Sequence, residues 1–200
     1  MRGGIEMSIS EIVKKGDEMK PYFSQGGGIT VTGGEPLLQA EAVLELIKQA
    51  HKKKINVAVD TNGSVRSAPA RRVYEEADLI LLDVKHWDEE KHRQLTGQGN
   101  KAVKETLLNR EATGKPMWVR HVLVPGYTDH EKDLEALGRG LANYKTMKRL
   151  EILPYHSLGA YKYEKLGLKY EFAHVASPTE KQIANAKKIL EKYLKNVIIR

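Results

Sequence analysis

LILLDVK, at residues 79–85, is the stretch that decides the fold. Four apolar residues in succession read as a strand covered on both faces, as in a parallel sheet flanked by helices. Polar character enters only at its carboxyl end, with Asp83 and Lys85. The same pattern repeats outward along the chain. Further strands are expected at 28–32 (GITVT), 56–60 (NVAVD), 117–124 (MWVRHVLV) and 150–153, with a terminal one at 196–200. Amphipathic stretches between them predict helices at 8–22, 37–53, 69–76, 101–112, 129–143 and 179–194. In the second of these, Leu38, Ala42, Leu46 and Ala50 recur every fourth residue, with Val43 and Ile47 beside them. This alternation predicts an α/β chain with a parallel sheet, open or curled into part of a barrel, in a single domain over residues 1–200.

Composition narrows the function classes. The 200 residues are 40% hydrophobic and 30% charged, which suits a chain that buries a core without disulfides. No apolar run approaches the ~18 residues of a membrane span. The opening Met1-Arg-Gly-Gly-Ile-Glu lacks an apolar signal core, so a cytoplasmic location without a membrane partner is expected. The formal charge is +7, with lysines spread over predicted helices. That spread reads either as solvated helix faces or as attraction to an acidic partner. No basic ribbon interleaved with aromatics appears, so nucleic acid is not an expected partner. Cysteine is absent, which excludes disulfides, thiolate nucleophiles and cysteine-held zinc or iron–sulfur centres within these residues.

In parallel α/β sheets functional residues gather at the carboxyl ends of the strands. Those ends carry Gly33-Gly34-Glu35, Asp60-Thr61-Asn62-Gly63, Asp83-Val84-Lys85, Arg120 with Pro125-Gly126, and Pro154-Tyr155-His156. The glycines either admit a ligand close to the backbone or form a tight entry to the next helix. Glu35 is an acceptor for a ligand ammonium or part of that helix start. Asp60 and Asp83 suit a hard cation or acid–base work, against an Asx turn for Asp60 and an ion pair for Asp83 with Lys85. His156 is the histidine best placed for a site, although a lone histidine is often structural. The histidines have no HExxH spacing, and the glycines form neither GxGxxG nor a phosphate loop, which disfavours an unrelated phosphate-binding enzyme.

Together, GGGITVTGGEPLLQ (26–39), AVDTNG (58–63), LILLDVKHWDEEKHRQLTG (79–97), WVRHVLVPGYTD (118–129) and LEILPYHSLGAYKYEKLG (150–167) resemble the pyruvate formate-lyase-activating family of the radical S-adenosylmethionine superfamily. The resemblance implies a partial (β/α)6 barrel that binds S-adenosylmethionine at the strand ends. By motif position, Gly33, Gly34 and Glu35 would meet the methionyl amino group. Asp60, Thr61 and Asp83 would hold a monovalent cation beside the methionyl carboxylate. Val84, Lys85, Arg120 and His156 would line the remainder, His156 near the nucleoside. The implied partners are a glycyl radical enzyme, pyruvate formate-lyase first among them, and a flavodoxin-type electron donor.

The family also uses a 4Fe–4S cluster held by a C-x3-C-x2-C loop, which lies ahead of the segment resembling residues 3–22 and is not in this sequence. The expectation is therefore a barrel lacking its first βα unit, with an unpaired edge at the 28–32 strand and no radical chemistry of its own. The alternative is a non-catalytic module of the same stock that binds S-adenosylmethionine or the partner.

Overall fold

A computed structural model describes residues 5–23 and 26–200. Most of the opening Met1–Glu6 segment lies outside the described residues. The chain forms two compact units, one comprising residues up to Asp83 with Ala102–Met117, the other Val84–Lys101 with Trp118–Arg200.

In the first unit, β1 (Gly28–Val31), β2 (Asn56–Thr61) and β3 (Leu79–Asp83) lie side by side in chain order. Both pairings are parallel, with Val31 opposite Val59 and Asp60 opposite Leu81. Alternation sorts the side chains onto two faces. Val57, Val59, Ile80 and Leu82 are fully buried on one of them. Asp60 and Asp83 lie on the other, since Asp83 is two residues beyond the partner of Asp60. The approach of β1 to β2 requires Gly28, where a Cβ would collide with the Asn56 carbonyl.

Helix α1 (Ile9–Glu18) opens on a capping box between Ser8 and Glu11. It packs on α2 (Ala40–Lys52), and α2 on α3 (Ala68–Glu76). Within α2, Val43, Leu46, Ile47 and Ala50 are buried as expected, but Leu38 is 79% exposed and Ala42 is exposed. A fourfold repeat drifts about 40° per step around a helix of 3.6 residues per turn, so its early members leave the buried stripe. Leu38 also belongs to a 3-10 turn, Pro36–Gln39, that precedes the helix.

Helix α4 (Glu89–Thr96) was not expected from periodicity, because only His92 is buried along it. Its ends define it: the Asp88 side chain accepts from Lys91 N at 2.9 Å, and Gly97 closes it at φ 78. Helix α5 (Lys101–Ala112) has the expected bounds.

The second unit holds β4 (Met117–Leu123) from Trp118 onward, β5 (Met147–Pro154) and β6 (Val197–Ile199). Helices α6 (Glu131–Leu141) and α8 (Glu180–Glu191) pack on each other, and a short α7 (Ala160–Lys165), also unexpected, follows β5. On one strand face Val119, His121, Leu123, Leu150 and Ile152 are buried. On the other, buried Glu151 meets Arg120 Nε at 3.2 Å, Arg149 Nη1 at 3.2 Å and Arg200 Nη1 at 3.3 Å. The Arg149 guanidinium also lies over the Trp118 ring at 3.7 Å. The Trp87 ring rests against Gly140 of α6, leaving no room there for a Cβ.

Arg110, on α5, is buried without a carboxylate contact among its described hydrogen bonds. Its guanidinium donates to Tyr74 O at 2.7 Å, Pro116 O at 2.9 Å and Asp78 O at 3.2 Å. Burial lowers its pKa to about 10, which leaves it charged at neutral pH. Arg110→Met should destabilise the chain by about 3 kcal/mol or more, because buried carbonyls lose their donors. Urea unfolding is the check, and a loss below ~0.5 kcal/mol would show that the clamp is dispensable.

Candidate functional site

The expected residues divide between the two units. In the first, Gly33 and Gly34 follow β1 and are exposed, and a Cβ built on either meets nothing within 4 Å. At Gly33 the backbone itself favours glycine, with φ 158, whereas at Gly34 neither packing nor a positive φ demands it.

Glu35 ties β1 to β2. Its Oε1 accepts from Thr61 Oγ1 at 2.8 Å and from Leu37 N at 3.0 Å, and its Oε2 accepts from Asn62 N at 2.8 Å. A carboxylate offers about four acceptor positions, so these bonds leave little further capacity. The bond to Leu37 N is the helix start expected as one reading of this residue.

Thr61 is buried, and its hydroxyl also accepts from Gly63 N at 3.0 Å. Gly63 has φ 70, a left-handed conformation natural to glycine, and its carbonyl accepts from Thr106 Oγ1 at 3.0 Å. The Asx turn expected of Asp60 belongs to Asn62, whose Oδ1 accepts from Ser64 N at 2.9 Å. Asp60 Oδ2 instead accepts from Thr32 Oγ1 at 3.1 Å. Asp60 and Asp83 are both half-buried on the same face of the β2–β3 pair.

In the second unit, Val84 is buried, and its N–H donates to Arg120 O at 2.9 Å. The β3 strand itself ends at Asp83, two residues short of the end expected from sequence. Lys85 and His156 line one cavity of about 360 Å³, walled by Val122, Tyr155, Tyr170 and Phe172 among others. Tyr155 and Tyr170 share a hydroxyl–hydroxyl bond of 2.7 Å at its edge. Arg120 is turned to Glu151.

Sequence reasoning passed over His86 and His121, both buried. His121 alternates with Met117, Val119 and Leu123 on the buried face of β4, which is the signal that was available. Its Nδ1 lies 2.8 Å from Val84 O, so that nitrogen carries the proton. Burial pushes the pKa of His121 down, and burial likewise lowers that of His86 despite Asp133.

A signature of the Radical SAM superfamily matches residues 1–137. The pyruvate formate-lyase-activating enzyme of Clostridium pasteurianum is 37% identical over 199 residues, covering 99% of this chain and 82% of its own length. The chain belongs to this radical S-adenosylmethionine family. The corresponding enzyme of Staphylococcus epidermidis is 39% identical over 188 residues, 90% of this chain and 75% of its own. A crystallised domain of the pyruvate formate-lyase-activating enzyme from Bacteroides vulgatus superposes with a TM-score of 0.69 at 25% identity, covering 87% of this chain and 99% of that one. Streptococcus suis SuiB, at 12% identity over 97% of this chain and 43% of its own, shares the fold with a TM-score of 0.75. The fold is accordingly α/β with parallel strands, the partial barrel of the radical S-adenosylmethionine enzymes.

Membership in the family implies S-adenosylmethionine and a 4Fe–4S cluster. The residues present do not fit the cluster: there is no cysteine, and among the described residues no three His, Cys, Asp or Glu side chains converge on a metal position.

The buried histidines give this structure a pH dependence. Burial holds their folded pKa values below that of an ordinary histidine, so on acidification the unfolded chain takes up protons first. Stability should then fall as pH drops through about 6.5 toward the folded values. Melting temperatures at about pH 7.5 and 5.5 should differ, and His121→Asn should reduce the difference. An equal drop in that variant would assign the effect to other groups.

Proposed function

We propose that these residues bind S-adenosylmethionine and present it to a glycyl radical enzyme, pyruvate formate-lyase, for formation of a glycyl radical by way of a 5′-deoxyadenosyl radical. Support comes from the residues that match the family's cosubstrate motifs, which fall at the carboxyl ends of the strands except for Arg120, in the middle of β4. Gly33, Gly34 and Glu35 are assigned to the methionyl amino group. The open space in front of both glycines suits a ligand approaching the backbone. Asp60, Thr61 and Asp83 are assigned to a monovalent cation beside the methionyl carboxylate. Two carboxylates on one strand face suit a cation with oxygen ligands.

In the second unit, Val84, Lys85, Arg120 and His156 are assigned to the rest of the cosubstrate. Lys85 would neutralise its carboxylate and His156 stand near its nucleoside. An aromatic-walled cavity holding one lysine and one histidine suits an apolar base carrying charged groups. The whole is proposed as one radical S-adenosylmethionine domain over residues 1–200, acting in the cytoplasm.

The cluster supplies the electron in this family, and its ligands do not come from these residues. Their own part is to bind and orient the cosubstrate and to meet the partner. The absence of cysteine favours a second reading, a module of the same stock that binds S-adenosylmethionine or the partner without radical chemistry.

Equilibrium dialysis should find weak S-adenosylmethionine binding, with Asp83→Ala and Lys85→Ala each costing on the order of 1–3 kcal/mol. Equal affinity in all three proteins would remove both residues from the site. The electron donor is proposed to be a flavodoxin, whose acidic character complements the charge of +7. Its binding should weaken steeply above physiological salt; salt-independent binding would mean that the lysines merely solvate their helices.

A further inference from the structure

The turn that carries Lys85 is gripped by side chains to which no role has been given. Val84 O accepts from His121 Nδ1 at 2.8 Å. His86 O and Trp87 O accept from Asn100 Nδ2 at 3.2 and 2.7 Å. Asp88 N donates to His86 Nδ1 at 3.0 Å. The two outside donors are almost inaccessible, Asn100 at 1% and His121 at 3% exposed. Neither is among the residues lining the cavity that Lys85 shares with His156.

Any buried carbonyl needs a donor, and that need alone explains one such bond. It does not explain why carbonyls on both sides of Lys85 are held by side chains from elsewhere in the chain. A lysine ammonium rides on a flexible four-carbon stem, so a held backbone sets the point and direction from which that stem departs. A charged group meant to meet a ligand at one place gains from a rigid base beneath it.

The geometry points to Asn100 and His121 as positioning residues that fix the backbone on either side of Lys85 and thereby aim its ammonium at the carboxylate of S-adenosylmethionine. This rests on the assignment of Lys85 made under Proposed function. Neither residue touches the ligand; both act through Lys85.

Two ligands separate aim from general damage. S-adenosylmethionine carries the carboxylate, and 5′-methylthioadenosine carries the nucleoside without it. Equilibrium dialysis should show His121→Leu and Asn100→Ser each weakening S-adenosylmethionine about tenfold while leaving 5′-methylthioadenosine nearly unchanged. His121→Asn, which keeps a donor near Val84 O, should restore most of the loss. Combining His121→Leu with Lys85→Ala should cost no more than Lys85→Ala alone.

Amide exchange without ligand gives a second measure should His121→Leu fold poorly. Residues 84–88 should exchange faster in Asn100→Ser and at the wild-type rate in His121→Asn. Equal weakening of both ligands, or unchanged S-adenosylmethionine affinity in the two donor variants, would overturn the positioning role while Lys85→Ala still weakens binding. If Lys85→Ala has no effect, or the wild-type chain binds no S-adenosylmethionine, the assignment of Lys85 itself fails and the positioning role goes with it.

Discussion

Parallel strands with one face buried completely are the constraint on which this structure depends. Val57, Val59, Ile80 and Leu82 lose all exposure to solvent on the covered face. Because side chains alternate, the same pairing that buries them sends Asp60 and Asp83 to the opposite face. A register slip of one residue would bury both carboxylates and expose four apolar side chains. Register is therefore fixed by the core, and the polar strand ends inherit their placement from it. Asp60 and Asp83 at those ends stay half-buried and escape the cost of complete burial.

The features legible in the sequence are those that a short window contains. The 79–83 strand announced itself by consecutive apolar residues, and α5 by the stretch that bounds it. Helix α4 was hidden because caps at Asp88 and Gly97 define it and no apolar stripe does. Leu38 misled because a repeat of four approximates the helical period without matching it. The site divides the same way. Its strand-end residues were readable from position and motif, whereas His121 reaches Val84 across 37 residues and Asn100 reaches His86 across 14. No local pattern encodes a partner at that distance.

Arg110 and Glu151 show two ways of burying charge in one chain. Arg110 is satisfied by backbone carbonyls from three residues, so its charge is spread into dipoles. Glu151 is instead met by Arg120 from β4, by Arg149 of its own strand and by Arg200 just past β6. The first arrangement fastens segments of the first unit to one another. The second gathers three guanidinium groups, charged at any physiological pH, around one carboxylate of the second unit. Removal of the central carboxylate would take a shared ion-pair partner from all three.

The seat of Trp87 on α6 has a consequence for how this sequence can change through descent. Glycine inside a helix costs about 1 kcal/mol relative to alanine, yet Gly140 admits the indole and Gly138 admits the ring of Tyr193. Replacing either glycine would recover helix propensity and collide with an aromatic ring. Shrinking the ring first would leave a void. Each pair is thus a locked combination, open to exchange only when both members change together. Drift at positions 87 and 140, and at 138 and 193, should accordingly be slow and correlated.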